Sequence, residues 1–201
     1  MKTKTKGLLL TASMVLAMAF TFSCDSNFKD SRDGKTYKKV TIGSQTWMAE
    51  NLNFAAEGSV CYENNPDNCA KYGRLYNWET AMKACPQGWH LPNNDFEWQG
   101  LVDIAGGDTI AGTKLKATSG WNEYEGKSGN GTDEWLSALP GGLGGGSSGD
   151  FAGVGDLGYW WSATEFNSNY AYLRCMVYNN SGVGRDYGTK SFLASVRCVK
   201  D

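Results

Sequence analysis

A single histidine, His90, is all the imidazole this 201-residue chain carries. None of the strong metal signatures occurs either: there is no D-x-[DN]-x-[DN]-G loop, no H-E-x-x-H and no C-x-x-C. No metal site is therefore expected from motif alone. Positive charge is also scarce. Lys and Arg number 19 against 21 Asp and Glu. The longest uncharged apolar run, Gly7 to Phe22, is 16 residues, too short for a comfortable membrane span. No internal repeat is visible.

That apolar run has a different meaning. Lys2, Lys4 and Lys6 precede it, so residues 1–23 read as a secretory signal peptide with a basic start and an apolar middle. Two exits stand at its end. Ala17-Met18-Ala19 is an A-x-A site, and Thr21-Phe22-Ser23 precedes Cys24, where lipidation is expected. Residues 24–35 are polar and charged, as a tether behind an anchor would be, and 36–201 form one domain. Removing the leader takes three lysines, leaving 16 positive against 21 negative groups, a net −5. A chain this acidic has no electrostatic footprint for nucleic acid. About 175 residues remain, enough for one domain with its own core.

Glycine is abundant, with 26 residues, and stands beside 8 Trp, 10 Tyr and 8 Phe. Short strand-like runs among glycines and aromatics suggest a loop-rich extracellular fold. Export also changes the reading of cysteine. In an oxidising compartment Cys61, Cys69, Cys85, Cys175 and Cys198 are bridge candidates before they are nucleophiles or ligands. With Cys24 lipidated, five remain and one is unpaired; without lipid, six could form three bridges. Cys61 and Cys69 close the two ends of a Pro/Asn/Asp-rich loop and are expected to bridge.

Periodicity places the elements. Lys38 to Ala49 reads as a hairpin turning at Gly43-Ser44. Leu75 to Ala84 reads as a helix with Trp78, Ala81, Met82 and Cys85 at helical spacing, stopped by Pro86. Asn93-Asn94-Asp95 caps a second helix, Phe96 to Ala105, with Trp98, Leu101 and Val102 on one face. After Gly106-Gly107 the periodicity fails until about Gly158, and nine of the 18 positions from Gly141 to Gly158 are glycine. Such a long loop is either functional or disordered. Strand-like runs close the chain at Tyr159 to Ala163, Ala171 to Tyr178 and Ala194 to Val199.

Gly153-Val-Gly-Asp-Leu-Gly158 matches the dinucleotide fingerprint G-x-G-x-x-G, which needs a strand before it and a helix after it. Here glycine precedes and a Tyr-Trp-Trp strand follows, so nucleotide binding is not expected. Asn122, Glu123, Glu125, Asn130, Asp133 and Glu134 could offer oxygen ligands to calcium, with a solvated face as the bland alternative. No other cofactor is expected.

The order of helix, cysteine, Gly-Trp-His-Leu-Pro turn, second helix, glycine-rich loop and cysteine-bearing strands resembles the C-type lectin-like fold. The segments Asp33-Gly-Lys-Thr-Tyr, Gln45-Thr-Trp-Met-Ala-Glu-Asn-Leu52, Cys69-Ala-Lys-Tyr-Gly-Arg-Leu-Tyr76, Cys85-Pro-Gln-Gly-Trp-His-Leu-Pro92, Ser137-Ala-Leu-Pro-Gly-Gly142, Trp161-Ser-Ala-Thr-Glu165 and Ser195-Val-Arg-Cys198 resemble one bacterial branch, the Fibrobacter succinogenes major paralogous domain. The resemblance runs from about Asp30 to Asp201. It implies an α+β fold with two helices, small antiparallel sheets and a long loop, and a bridge from Cys85 to Cys198 that leaves Cys175 unpaired. Two related chemistries can be checked against the residues. Calcium-dependent sugar binding needs a Pro-centred triplet beside Trp121-Asn122-Glu123, and that triplet is missing. Formylglycine-generating enzymes are similar at Leu91-Pro92, Glu97-Trp98 and Arg197-Cys198, but their close cysteine pair has no counterpart, since Cys175 and Cys198 lie 23 residues apart.

His90, between Trp89 and Leu91-Pro92 in the turn joining the helices, is expected to be a structural histidine bonded within the core. The functional expectation is an exported, lipid-anchored, monomeric, non-catalytic module at the outer membrane or cell surface. It would meet a polysaccharide or surface protein and touch the membrane only through its lipid. Trp121, Asp133, Glu134 and Trp135 in the long loop, with Trp160, are the candidate ligand-binding residues, because flat rings stack on sugars while carboxylates bond their hydroxyls. The alternative is that Trp121 and Trp135 pin the loop to the sheet. An enzyme of the formylglycine-generating type and a ligand-free structural envelope protein are the other readings.

Overall fold

The computed structural model describes residues 27–132, 135–146 and 148–201. Cys24, Asp133 and Glu134 lie outside them, as do the leader and residues 24–26 of the polar tether. The chain runs β1 (Phe28–Lys29), β2 (Thr36–Tyr37), β3 (Lys39–Ile42), β4 (Gln45–Met48), α1 (Pro66–Tyr72), β5 (Leu75–Tyr76), α2 (Trp78–Ala84), β6 (Trp89–His90), α3 (Gln99–Ile104) and α4 (Ala111–Leu115). It continues through β7 (Glu123–Tyr124), β8 (Lys127–Ser128), β9 (Gly141–Gly144), β10 (Phe151–Val154), β11 (Leu157–Glu165), β12 (Tyr170–Val177), β13 (Gly184–Thr189), β14 (Ala194–Ser195) and β15 (Val199–Lys200). The class is α+β.

The central sheet orders β10, β9, β11, β12 and β13 side by side, with β14 paired to β11 and β5 to β14. A second sheet, β3-β4-β15-β6, joins the first hairpin to the last strand. Both faces of the central sheet are covered at β11, which sends Trp160 to one side and Trp161 to the other. Trp160 packs with Trp47, Trp98, Leu101, Val102 and Met176. Trp161 packs with Tyr76, Trp78, Leu173 and Val196. A two-sided core is what lets adjacent tryptophans both disappear from water.

Local sequence explains the helices and corrects three boundaries. The Cys61 to Cys69 segment, expected as loop, contains the first half of α1. Asn65 caps it by accepting from the Asp67 amide, and Pro66 sits at its first position, where the missing N–H costs nothing. The first expected helix begins only at Trp78, with Asn77 capping through the Thr80 amide at 2.9 Å, while Leu75 and Tyr76 pair with β14 as a strand. Met82, placed on its buried face by spacing, is exposed. The second helix opens earlier than expected, as a π-helical turn from Asn94 to Trp98 that runs into α3. The Asn93 carboxamide accepts from the Phe96 and Glu97 amides, and the Glu97 carboxylate accepts in return from the Asn93 amide at 2.8 Å.

The region from 106 to 158 is more ordered than its periodicity suggested. It holds α4 and strands β7 to β10. Close backbone approach explains some of its glycines: a Cβ on Gly112 would meet the carbonyl oxygens of Gly182 and Ser181 at 2.5 and 2.8 Å. The G-x-G-x-x-G stretch is the turn from β10 into β11, with no helix behind it. Strand β13 carried no apolar signal and was not expected.

Two disulfides close the structure, Cys61–Cys69 and Cys85–Cys198. Cys175 is the free thiol among the described residues. The long bridge ties the end of α2 to the last strand region, so the two halves of the chain are one covalent unit. No helix among the described residues is long and apolar enough to cross a membrane.

Candidate functional site

Trp121, Trp135 and Trp160 do not form a ligand platform. Their exposures are 4%, 8% and 1%, and all three sit in one core cluster. The Trp121 indole donates to the Ala138 carbonyl at 2.8 Å, and that of Trp160 donates to the Asn51 carboxamide oxygen at 2.8 Å. A long, glycine-rich segment has many main-chain carbonyls without ladder partners, and a buried indole supplies both the missing donor and the apolar surface. The loop is pinned to the sheet, and the sugar-stacking expectation for these rings is corrected.

The four described residues of the set proposed for calcium, Asn122, Glu123, Glu125 and Asn130, are likewise engaged or dispersed. Asn122 donates to Asp156 at 2.9 Å, Asn130 accepts from the Trp121 amide at 3.0 Å, and Glu123 and Glu125 project from the β7–β8 ribbon into solvent. Among the described residues no group of three or more His, Cys, Asp or Glu side chains is placed to hold a metal.

His90 is not buried in the core either. Its Nε2 lies 2.6 Å from Glu97 Oε1 and its Nδ1 2.7 Å from Asp201 Oδ1, with 42% of the side chain exposed. Partial burial lowers its pKa, but the bonds to the Asp201 and Glu97 carboxylates outweigh this and hold it above the ordinary histidine value. The acidic partners were invisible in sequence because Asp201 lies 111 positions away and meets His90 only through the β15–β6 pairing. The arrangement is a clasp between the second helix and the chain's last residue.

Exposed aromatic surface lies elsewhere, on β12 and β13. Pairing sets Tyr172 opposite Tyr187 and Tyr170 opposite Thr189, so Tyr170, Tyr172, Arg185 and Tyr187 share a face by strand alternation. Ala171 and Leu173 point the other way, into the core with Trp161. Farther along the aromatic face the second helix covers the sheet: Arg174 is buried there and donates to the Asn94 carbonyl at 2.8 Å and to Gln99 Oε1 at 2.9 Å. The uncovered end holds the rings.

Phe166 completes the group from the β11–β12 turn. Asn167 fixes that turn by accepting from the amides of Asn169 and Tyr170 at 2.9 and 3.1 Å. The Phe166 ring stacks on Tyr187, with centroids 4.3 Å apart and planes within 9°. Tyr172 meets Phe166 edge-on at 5.5 Å, and Tyr170 meets Tyr187 edge-on at 5.8 Å. Arg185 lies 4.4 Å above the Tyr172 ring and pairs with Asp95 at 2.9 Å. Phe166 and Tyr187 remain 45% and 51% exposed. Chemically this is a rigid apolar tile with phenol hydroxyls and a guanidinium–carboxylate pair at its rim.

Neither the curated proteins nor the solved structures contain a match to this chain. The family described as the Fibrobacter succinogenes major domain matches residues 40–200, from the first hairpin to the last strand. That span takes in both disulfides, the His90–Glu97 pair and the aromatic face, and the chain belongs to the Fibrobacter succinogenes major domain family.

Proposed function

We propose that the chain is a non-catalytic binding module of the cell envelope, exported by its leader and anchored through lipid on Cys24, that holds a polysaccharide or surface protein against the aromatic face of β12 and β13. The observation that carries this reading is the exposed Phe166–Tyr187 stack, flanked by Tyr170, Tyr172 and Arg185. Rings left in water on a rigid sheet carry a solvation cost that a bound apolar face removes, and the flat side of a pyranose or an aromatic side chain fits such a tile. The C-type lectin-like architecture belongs to the same proposal. It is supported by the bridge from the end of α2 to the last strand region and by the β3–β4 hairpin sharing a sheet with the last strand, β15. The non-catalytic reading is supported by the thiols: four described cysteines are bridged, and burial pushes the fifth, Cys175, upward in pKa, opposite to what a nucleophile needs. Lipid attachment would leave the domain at the outer membrane or cell surface as a monomer.

The test is binding of the mature chain to an array of glycans and envelope preparations, repeated with Tyr187→Ala and Phe166→Ala. Both rings are about half exposed, so these variants should melt within about 2 °C of the parent. A tenfold or greater loss of binding at unchanged stability is expected. Binding that survives both substitutions would remove the face from the function.

A further inference from the structure

A second site lies away from the aromatic face and rests on different residues. A cleft of about 530 Å³ opens between the β2–β3 segment, α1 and the turn at Thr118-Ser119. That volume falls in the range of about 300–1,000 Å³ typical of small-molecule sites. Its walls carry Lys35, Lys38 and Lys71 against the single carboxylate of Glu50, three positive groups to one negative, a local +2. The mature chain as a whole is at −5, with 16 basic and 21 acidic residues. Positive charge is therefore concentrated where the surface is concave, and a concave low-dielectric wall focuses its field on whatever enters.

The two best-placed ammonium groups are held at the wall. Lys35 Nζ donates to the Asn53 carbonyl and stands 3.5 Å from Asp33 Oδ2, which offsets part of its charge. Lys71 Nζ lies 4.7 Å from the centroid of the Tyr72 ring. Each ammonium has three N–H donors, so both retain donors for an incoming oxyanion. Glu50 is turned toward the backbone, accepting from the Lys38 amide at 2.7 Å. The floor is fixed as well. Gly73, at φ 78°, lets the end of α1 sit so closely on Asn51 and Leu52 that a Cβ there would come within 2.9 Å of both, and the Cys61–Cys69 bridge holds α1 from its other side.

We propose that this cleft binds an acidic saccharide through its carboxylate or phosphate group. The lysines take the anion. The carboxamide of Asn53, the Tyr72 ring and the hydroxyls of Thr118 and Ser119 fit the rest of a sugar, for which a lone inorganic anion has no use. The ligand need not reach β12 and β13, so the site stands whether or not the aromatic face binds anything.

Calorimetric titration of the mature chain decides it, with trigalacturonate, glucose 6-phosphate, neutral maltotriose and inorganic phosphate as probes. At least one of the two acidic sugars should bind ten times or more tighter than both maltotriose and inorganic phosphate, and weaken as salt rises. Lys71→Ala and Lys38→Glu lie at exposed positions, so they should keep the parental melting temperature while weakening that binding tenfold or more. Tyr187→Ala should leave it unchanged. Equal binding of neutral and acidic sugars, or of inorganic phosphate and acidic sugars, overturns the proposal. So does acidic-sugar binding that survives both lysine variants or is lost in Tyr187→Ala, which would transfer it to the aromatic face.

Discussion

Removing the two disulfides one at a time separates covalent topology from packing. Cys85 and Cys198 are 113 positions apart, whereas Cys61 and Cys69 are 8 apart. If a bridge acts mainly by restricting the unfolded chain, the long one contributes about 4.8 kcal/mol and the short one about 2.6 kcal/mol at 25 °C. Packing does not separate them, because each bridge joins one buried cysteine, Cys198 or Cys69, to one half-buried cysteine, Cys85 or Cys61. The two closed loops do not overlap in sequence, so their effects should add, and losing both should cost about 7 kcal/mol. In a domain of this size that corresponds to roughly 10–20 °C in melting temperature for Cys85→Ala with Cys198→Ala, and 5–10 °C for Cys61→Ala with Cys69→Ala. The assay is urea denaturation of each double variant and the quadruple variant, followed by fluorescence of the buried tryptophans. A short-loop variant as unstable as the long-loop variant would refute the loop-length argument, as would a quadruple variant no worse than the long-loop one.

The His90 clasp should make stability depend on pH. Its folded pKa is raised, so the stabilisation is fully present below about 6.5, the unfolded value, and is lost as pH rises through the folded one. His90→Ala should therefore cost more at pH 6 than at pH 8.5, by under about 1 kcal/mol because the side chain is partly solvated, and equal costs would sink the clasp as a charged contact. Lys116 should show the opposite trend. It is 2% exposed, donates to the Val177 and Asn180 carbonyls at 2.6 Å each, and burial lowers its pKa to about 8. The unfolded lysine binds its proton up to about 10.5, so between pH 8 and 10.5 the unfolded state holds more protons and stability rises with pH. Parent minus Lys116→Met should shift by roughly 2 kcal/mol in the parent's favour from pH 7.5 to 9.5, and a flat difference would show that the hydrogen-bonded ammonium is not strained.

Some of this architecture was legible in sequence because the signals are local. The β3–β4 hairpin is written in Val40, Ile42 and the Gly43-Ser44 turn, and the buried stripe of the second helix in Trp98, Leu101 and Val102. What was missed depends on contacts far apart in the chain. Strand β13 reads Gly-Arg-Asp-Tyr-Gly-Thr, with no apolar alternation, because it is an edge strand whose ladder with β12 supplies what its side chains do not. Short α4 was hidden because its buried face, Ala111, Gly112 and Leu115, is small and is defined by the 181–182 turn packed on it.

The tryptophans explain why the sequence pointed to rings that the structure buries. Rings were sought where they cluster in the long loop, on the premise that loop aromatics serve ligands. All eight tryptophans are instead buried. Those of Trp78, Trp121 and Trp161 donate to the main-chain carbonyls of Ser162, Ala138 and Tyr76. A fold with so many short strands leaves carbonyls unpaired by ladders, and each buried one without a donor costs about 1–3 kcal/mol. An indole placed there removes that cost and buries a large apolar surface at once, so selection for folding alone is enough to put tryptophan inside. Tyrosine and phenylalanine face no such demand at 166, 170, 172 and 187, where backbone pairing between β12 and β13 is already complete. Rings that satisfy no main-chain group and remain in water are the ones left for a partner. In a glycine-rich domain of this kind, the aromatic worth testing for binding is thus the one whose removal should leave the fold intact.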